Sequence, residues 1–485
     1  MDRQTKLRRL NDYRRRLPHV TAFALGIILQ TCRDEGIPEG NVHRNAQREA
    51  RNAELNEVTP YGPIASSMHV IGVDGIARSI PIANPFALLW KAVRDCGPLA
   101  EFFAKRLLDV PSTADQPWGL ILYTDGVTPG NPLAPINKRK FEACYFSFLE
   151  FGTNALSREE SWFTLMTEFA TTVTDISGGL SQIFGAIVKT FFDPEGFNMA
   201  TVGLSLPFAA GAVRFFCKLK VVIQDGGAHK FVWQARGDGA TKLCLLCKNL
   251  FTRESGIAAA DPTGRCKSNI LKWAELVRAS GADIRTNARF IATQAGILDN
   301  TAFSELQQSL GITHYLHGLL LDTTLDSIFD PTEVYMHDWM HCLFVDGVFS
   351  LAIYLLFEVF FQAGLPNIYQ VCSDYVSKWF WPGRLHGTYL KEIFTDSRRD
   401  KHRKAGHIKA QASDLLSLVS VLALFTRTVL ITIEADGAVA ACNAFLALVR
   451  VIELIVNFPR LAVPAATLLS AVEKSLELWS VAWGA

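Results

Sequence analysis

The chain has 485 residues, enough for two to four domains at roughly 150 residues each, and its 48 Lys+Arg against 47 Asp+Glu leave a net charge of +1. That balance excludes a wholesale polybasic or polyacidic protein, so any nucleic-acid site must be a local patch. With 49% apolar and only 20% charged residues, disordered, collagen-like and coiled-coil classes are excluded as well. The mean hydropathy of +0.16 is high for a soluble protein, so either some helices are buried on all sides or part of the chain meets a membrane. Ten scattered cysteines do not make a disulfide scaffold and point to a reducing compartment.

Taken in chain order, residues 1–110 read as mainly helical with a basic start. Arg3, Lys6, Arg8, Arg9, Arg14, Arg15 and Arg16 precede an apolar stretch, Val20 to Leu29. Without Ala-x-Ala-like cleavage chemistry this reads as an amphipathic basic helix rather than a signal peptide. A charged stretch, Arg44 to Glu57, is interrupted at Pro60 and Pro63, and helical periodicity returns from Pro85 to Leu108. Pro111 to Pro117 is a linker by composition.

Residues 111–243 alternate differently. Trp118 to Asp125 reads as a buried strand ending on an acid, followed by a turn-rich loop with Gly126, Pro129, Gly130, Asn131 and Pro132. Phe141 to Phe151 and Glu160 to Phe169 read as two more strands, Ser177 to Phe192 as a helix, and Val213 to Gln224 as a strand before Asp225. This order suits a ribonuclease-H-like mixed α/β sheet, whose first and fourth strands lie side by side. Asp125 and Asp225 would then face one Mg²⁺ or Mn²⁺ site, since these hard cations take oxygen ligands. Two ions roughly 3.5–4 Å apart can activate a hydroxyl and stabilise the leaving oxygen of a phosphodiester. The plainer alternative makes Asp125 a turn residue and Asp225 a helix cap. Residues 244–485 read as a mostly helical insertion domain. Phe344 to Phe361 carries Asp346 and Glu358, and Arg427 breaks Leu415 to Ile433. A charge at the centre of a span costs roughly 2.5–3.5 kcal/mol, so buried core helices are expected and no membrane.

Four stretches carry a resemblance. They are Leu122-Tyr-Thr-Asp-Gly-Val-Thr-Pro-Gly-Asn131, Gln224-Asp-Gly-Gly-Ala-His-Lys230, Arg236-Gly-Asp-Gly-Ala-Thr-Lys-Leu-Cys-Leu-Leu-Cys247 and His337-Asp-Trp-Met-His-Cys-Leu-Phe-Val-Asp-Gly-Val348. Together they resemble CACTA (En/Spm-type) transposases, particularly the divergent copies of dinoflagellate genomes, over about 60% of the chain from Gly119 to Leu416. The resemblance implies DDE/D-type, metal-dependent DNA cleavage and strand transfer in the nucleus, with transposon ends as partner and a homo-oligomer in prospect. It matches Asp125 and Asp225 to the first two catalytic acids, with Asp238 as an alternative second, and Asp338-Trp-Met-His341 to an Asp-x-x-His element of the insertion domain. Arg236-Gly237 stands where Lys-Gly is usual. The family's third acid, a Glu in a Glu-Arg element, has no counterpart. Glu434, Glu453, Glu473 and Glu477 are the leftover glutamates, so a C-terminally incomplete core with impaired strand transfer, or a binding-only remnant of a transposable element, is expected.

Cys244-Leu-Leu-Cys247 is a zinc half-site. On a helix, His337 and His341 would share one face and complete a Cys₂His₂ shell, with Cys266 and His229 as competing ligands. Arg398, Arg399, Lys401, Arg403, Lys404 and Lys409 form the densest basic cluster after the N-terminus and are candidate DNA-phosphate contacts. No Gly-x-Ser-x-Gly, Walker A or His-Glu-x-x-His pattern occurs.

Overall fold

A computed structural model describes residues 22–34, 44–128, 139–382 and 387–484. The arginines before residue 17 and the loop residues Pro129 to Pro132 lie outside the described residues. The chain divides into two compact units, residues 1–65 and 66–485. In the first, α1 (Ala22–Asp34) buries Leu25 while Ile27 and Ile28 are exposed. Helix α2 (Arg44–Leu55) is strongly polar, and its described side chains are all exposed.

A hairpin follows that sequence reasoning missed, β1 (Ala65–Ile71) with β2 (Ala77–Ala83). Its signal was present. Met68 and Val70, like Ile80 and Ile82, alternate inward, and Asp74-Gly75 closes the loop with Gly75 at φ +77°. Asn84 then caps α3 (Pro85–Asp95), accepting from the amides of Phe86 at 3.0 Å and Ala87 at 3.3 Å. Helix α4 (Gly97–Asp109) begins beyond a break at Cys96, where Gly97-Pro98 restarts the chain.

The centre of the second unit is a mixed five-stranded sheet of β3 (Trp118–Val127), β4 (Phe141–Phe148), β5 (Phe163–Phe169), β8 (Cys217–Gln224) and β9 (Tyr335–His337), in the order β5-β4-β3-β8-β9. Residues Trp118 to Leu122 are all buried, as expected for a central strand covered on both faces. β3 pairs antiparallel with β4 and parallel with β8, and β8 pairs parallel with β9. The first and fourth strands anticipated from the sequence are therefore neighbours. Helix α5 (Leu180–Phe191) buries Leu180, Ile183, Phe184, Ile187, Val188 and Phe191, the face its 3.6-residue period foretold.

Two expectations need correction. Val213 to Gln224 is not one strand. It breaks at Phe216 into β7 (Gly211–Phe215), which pairs with β6 (Leu204–Phe208) in a separate hairpin, and β8. The sheet also takes its fifth strand, β9, from inside the stretch read as the helical insertion. Three residues are too few to show a period, so nothing in the local pattern marks Tyr335–His337 as a strand.

Helices α7 (Gly281–Gln294) and α8 (Asn300–Leu310) precede β9, and beyond it the chain is helical. Helices α10 (Val348–Gln362), α11 (Ile368–Ser377), α13 (Ala412–Thr428) and α14 (Ala438–Leu461) enclose one core that includes Phe349, Phe357, Tyr369, Leu422 and Phe445. Helix α12 (Asp396–Ala405) lies between α11 and α13 in the chain, and α15 (Ala465–Trp483) follows α14. By length and composition alone, Trp339–Gln362, Ala412–Thr432 and Ala438–Phe458 are apolar enough to cross a membrane, and 44–50% of each window is buried within this protein.

Candidate functional site

The pairing register sets the site. Thr124, Gln224 and His337 stand in one row across β3, β8 and β9, and the Asp338 amide donates to the Gln224 carbonyl at 3.0 Å. The next residue on each strand is an aspartate: Asp125, Asp225 and Asp338. Adjacent strands run roughly 4.8 Å apart, so the row crosses about 10 Å of sheet edge. All three charges act on one side chain. Burial is the main reason the Tyr123 hydroxyl is held above its usual range, helped by the charge of Asp125 and its hydrogen bond to that carboxylate, then by Asp338 and Asp225.

The three acids are not equivalent. Asp125 and Asp338 line a cavity of about 720 Å³ with Tyr123, Tyr145, Trp162 and Met336. Asp225 instead lines a neighbouring cavity of about 500 Å³ whose walls include Leu180, Phe231 and Tyr315. Asp225 caps α6 (Gly226–Val232) by accepting from the Ala228 amide. Asp338 caps α9 (Trp339–Leu343), accepting from the Met340 amide at 2.8 Å, and its second oxygen meets His341 Nδ1 at 2.8 Å. The cap role weighed for Asp225 is thus present. A carboxylate offers about four lone-pair sites, so a cap leaves acceptors for a cation. As a donor set, three carboxylates suit Mg²⁺ or Mn²⁺. Among the described residues, however, no three His, Cys, Asp or Glu side chains gather closely enough to hold an ion.

Asp238, the alternative second acid, sits in a short 3₁₀ turn, paired with Lys230 and largely exposed. The leftover glutamates lie elsewhere. Glu453 pairs with Arg450 at 3.5 Å, Glu477 with Lys474 at 3.0 Å, and Glu473 accepts from the Trp273 amide at 2.9 Å. Asp338, expected in the insertion domain, instead stands at the sheet edge directly after β9.

Cys244 and Cys247 stand together. A hydrogen bond from the Cys247 thiol, with the Leu246 and Cys247 amides and Lys242 adding to it, lowers the Cys244 thiol, while the same contact and burial raise Cys247. In chelator-treated, metal-free protein Cys244 should therefore alkylate measurably faster than Cys247 at pH 7, read site by site by peptide mass spectrometry; equal rates would contradict this asymmetry. The histidine half of the expected zinc shell is not built as foreseen. His337 is on strand β9 and His341 on α9, so they do not share a helical face. The His337 ring lies 4.5 Å from His229 and 5.0 Å from Tyr335, and His341 is held by Asp338. Of the competing ligands, Cys266 takes its place in a turn by donating its amide to Asp261 at 2.7 Å.

His229 carries a pH dependence of its own. Its ring stacks on Tyr335 at 4.1 Å and Nε2–H donates to the Met336 carbonyl at 2.8 Å, tying α6 to β9. Burial, with the adjacent His337, lowers its pKa to about 4. Above about pH 6.5 it is neutral in both folded and unfolded chains. As pH falls from 6.5 toward 4 the unfolded chain takes up a proton that the folded one refuses, so stability is lost across that window. Between pH 7 and 5 the loss should be on the order of 2 kcal/mol by urea titration, and smaller in His229→Gln. An equal loss in both would contradict the assignment.

The basic cluster is helical and divided. On α12, Arg403 turns toward α10, 3.4 Å from Glu358 and 4.7 Å over the Phe361 ring, and Arg399 stands 6.0 Å over the same ring. His402 is fully buried between the Ile393 carbonyl and the Lys409 amide. Arg398, Lys401 and Lys409 instead frame a concavity of about 260 Å³, and Lys404 is exposed. Lys401, Arg403, Lys404 and Lys409 are exposed, whereas Arg398 and Arg399 are half-buried. Compared with known proteins, the chain matches no family model and no curated sequence.

Proposed function

We propose that this chain is a transposase-like nuclease and strand transferase with a ribonuclease-H-like core, acting on DNA phosphodiesters in the nucleus. The observation that carries it is the row Asp125, Asp225, Asp338, one acid at the same level of three adjacent parallel strands. The strand order β5-β4-β3-β8-β9, with the first core strand parallel to the fourth and the fourth parallel to the fifth, supports the fold reading. Asp125 and Asp338 would hold Mg²⁺ or Mn²⁺ from the larger cavity and Asp225 from the side of the neighbouring one. Such ions, when bound, supply an activated hydroxyl and neutralise charge on the leaving oxygen. The chain's own part is to hold the carboxylates in place: β3 carries Asp125 into the cleft, and the helix caps fix Asp225 and Asp338.

A nicking assay on supercoiled DNA tests it. Wild-type nicking that requires Mg²⁺ or Mn²⁺ and is lost in Asp125→Ala and Asp225→Ala is the expected result. DNA binding without any wild-type nicking supports the second reading, a binding-only remnant, which the use of two acids as helix caps favours. Lys401→Ala and Lys409→Ala should each weaken DNA binding and lower the salt slope by about 1, while Arg399→Ala leaves it nearly unchanged; equal effects would remove the phosphate assignment. The same reading takes Cys244 and Cys247 as ligands of a structural Zn²⁺. Pure protein should then hold about one zinc per chain, falling in Cys244→Ser, and zinc-free protein removes this part.

A further inference from the structure

The larger cavity holds more than carboxylates. Tyr123 on β3 and Tyr145 on β4 are register partners, and their rings stand side by side, centroids 6.1 Å apart and 24° between planes. Trp162 meets Tyr123 edge-on at 6.1 Å. Across the cleft, Met336 is 47% exposed and Trp339 36% exposed. This sheet face is therefore open and aromatic at the end that carries Asp125 and Asp338, although Trp118 to Leu122, earlier on the same strand, are fully covered. Conserving shape alone would not require tyrosines and tryptophans on a half-open face.

Charge decides what such a wall can take. Asp125, Glu159 and Asp338 border the same cleft, and none of the residues lining it is a lysine or arginine. A bare phosphate would be repelled here, whereas a neutral, flat ring would not. Every nucleobase offers a π-face, and base–aromatic stacking contributes regardless of sequence. A base inside a duplex has both faces occupied, so only an unpaired base can use the wall.

We propose that the Tyr123–Tyr145–Trp162 wall stacks an unpaired nucleobase of the substrate strand beside the scissile phosphate, so that the site takes single-stranded or locally opened DNA in preference to intact duplex. This rests on the phosphodiester reading above and narrows its substrate. Wall and carboxylates are continuous along β3, where Tyr123 of the wall stands two residues before Asp125 and both line the cleft.

The test uses the full chain, Ca²⁺ in place of a catalytic cation, and a dye-labelled strand of about 12 nucleotides, alone or as blunt duplex, by fluorescence anisotropy. Tyr145→Leu should weaken single-strand binding about tenfold and leave duplex binding within about twofold, and Tyr145→Phe, which keeps the ring, should bind like wild type. Trp339→Ala, on the opposite and more exposed wall, is a second variant expected to lose single-strand affinity by a similar factor. Tyr145→Leu and Trp339→Ala both binding single strands like wild type, or weakening strand and duplex alike, would overturn the stacking wall. Metal-dependent nicking of intact duplex without preference for opened DNA would also overturn it while leaving the phosphodiester reading in place. Wild-type protein that binds neither strand nor duplex would remove both.

Discussion

Asp338→Ala is expected to reduce metal-dependent nicking as far as Asp125→Ala does, by about a thousandfold or more. The size follows from the chemistry: a bound divalent ion contributes several kcal/mol of charge stabilisation in the transition state, and each 1.4 kcal/mol is tenfold in rate. The placement follows from the register, because Asp338 stands one residue beyond the row that pairs Gln224 with His337. Asp338 also caps α9, and losing that cap removes about 1 kcal/mol of stability. Asp338→Asn separates the two roles, since asparagine still accepts from the Met340 amide but brings no charge. Inactive but normally stable Asp338→Asn protein supports the assignment. If Asp338→Asn nicks like wild type while Asp125→Ala is dead, Asp338 is a cap and not a member of the site.

The second large effect concerns the scaffold beneath the site. Phe103 on α4 is fully buried, and its ring lies 5.1–6.0 Å from those of Trp118, Phe148, Phe151, Phe208 and Phe215. It joins β3, β4 and the β6–β7 hairpin into one cluster. Truncating a buried aromatic costs roughly 3–5 kcal/mol, because transfer energy is lost and the surrounding rings cannot all move in to fill the space. Phe103→Ala should fall in that range by urea unfolding followed by circular dichroism. A loss below about 1 kcal/mol would mean that the cluster relaxes freely and does not hold the N-terminal end of β3.

What the sequence disclosed and what it hid have separate physical causes. Trp118 to Asp125 and the apolar face of Leu180 to Phe191 were legible because a covered strand and a helix with one buried face leave strong periodic patterns. Asp125 and Asp225 were legible as acids at strand ends. That they line different cavities was not, because this depends on which segments, distant in the chain, pack beside each strand end. Asp338 was legible as part of an Asp-x-x-His element, but its place at the sheet edge stayed hidden for a related reason: a three-residue edge strand has no pattern, and its partner β8 lies more than 100 residues earlier. The Asp74-Gly75 hairpin carries a legible signal, an Asp-Gly turn between two short alternating strands, but a weak one beside the longer helical stretches around it. The basic cluster shows the limit of composition, since six cations in twelve residues look alike until α12 turns Arg399 and Arg403 onto Phe361.

The proposed function depends on divalent-cation binding by the sheet-edge aspartates. Calorimetric titration of the 485-residue chain with Mn²⁺, beside a variant carrying Asp125→Asn, Asp225→Asn and Asp338→Asn, tests it without reference to any DNA substrate. Saturable Mn²⁺ binding by the wild type that the triple variant has lost is the expected result. Wild-type protein that binds no Mn²⁺, or a triple variant that binds it equally well, would contradict a cation site at these aspartates.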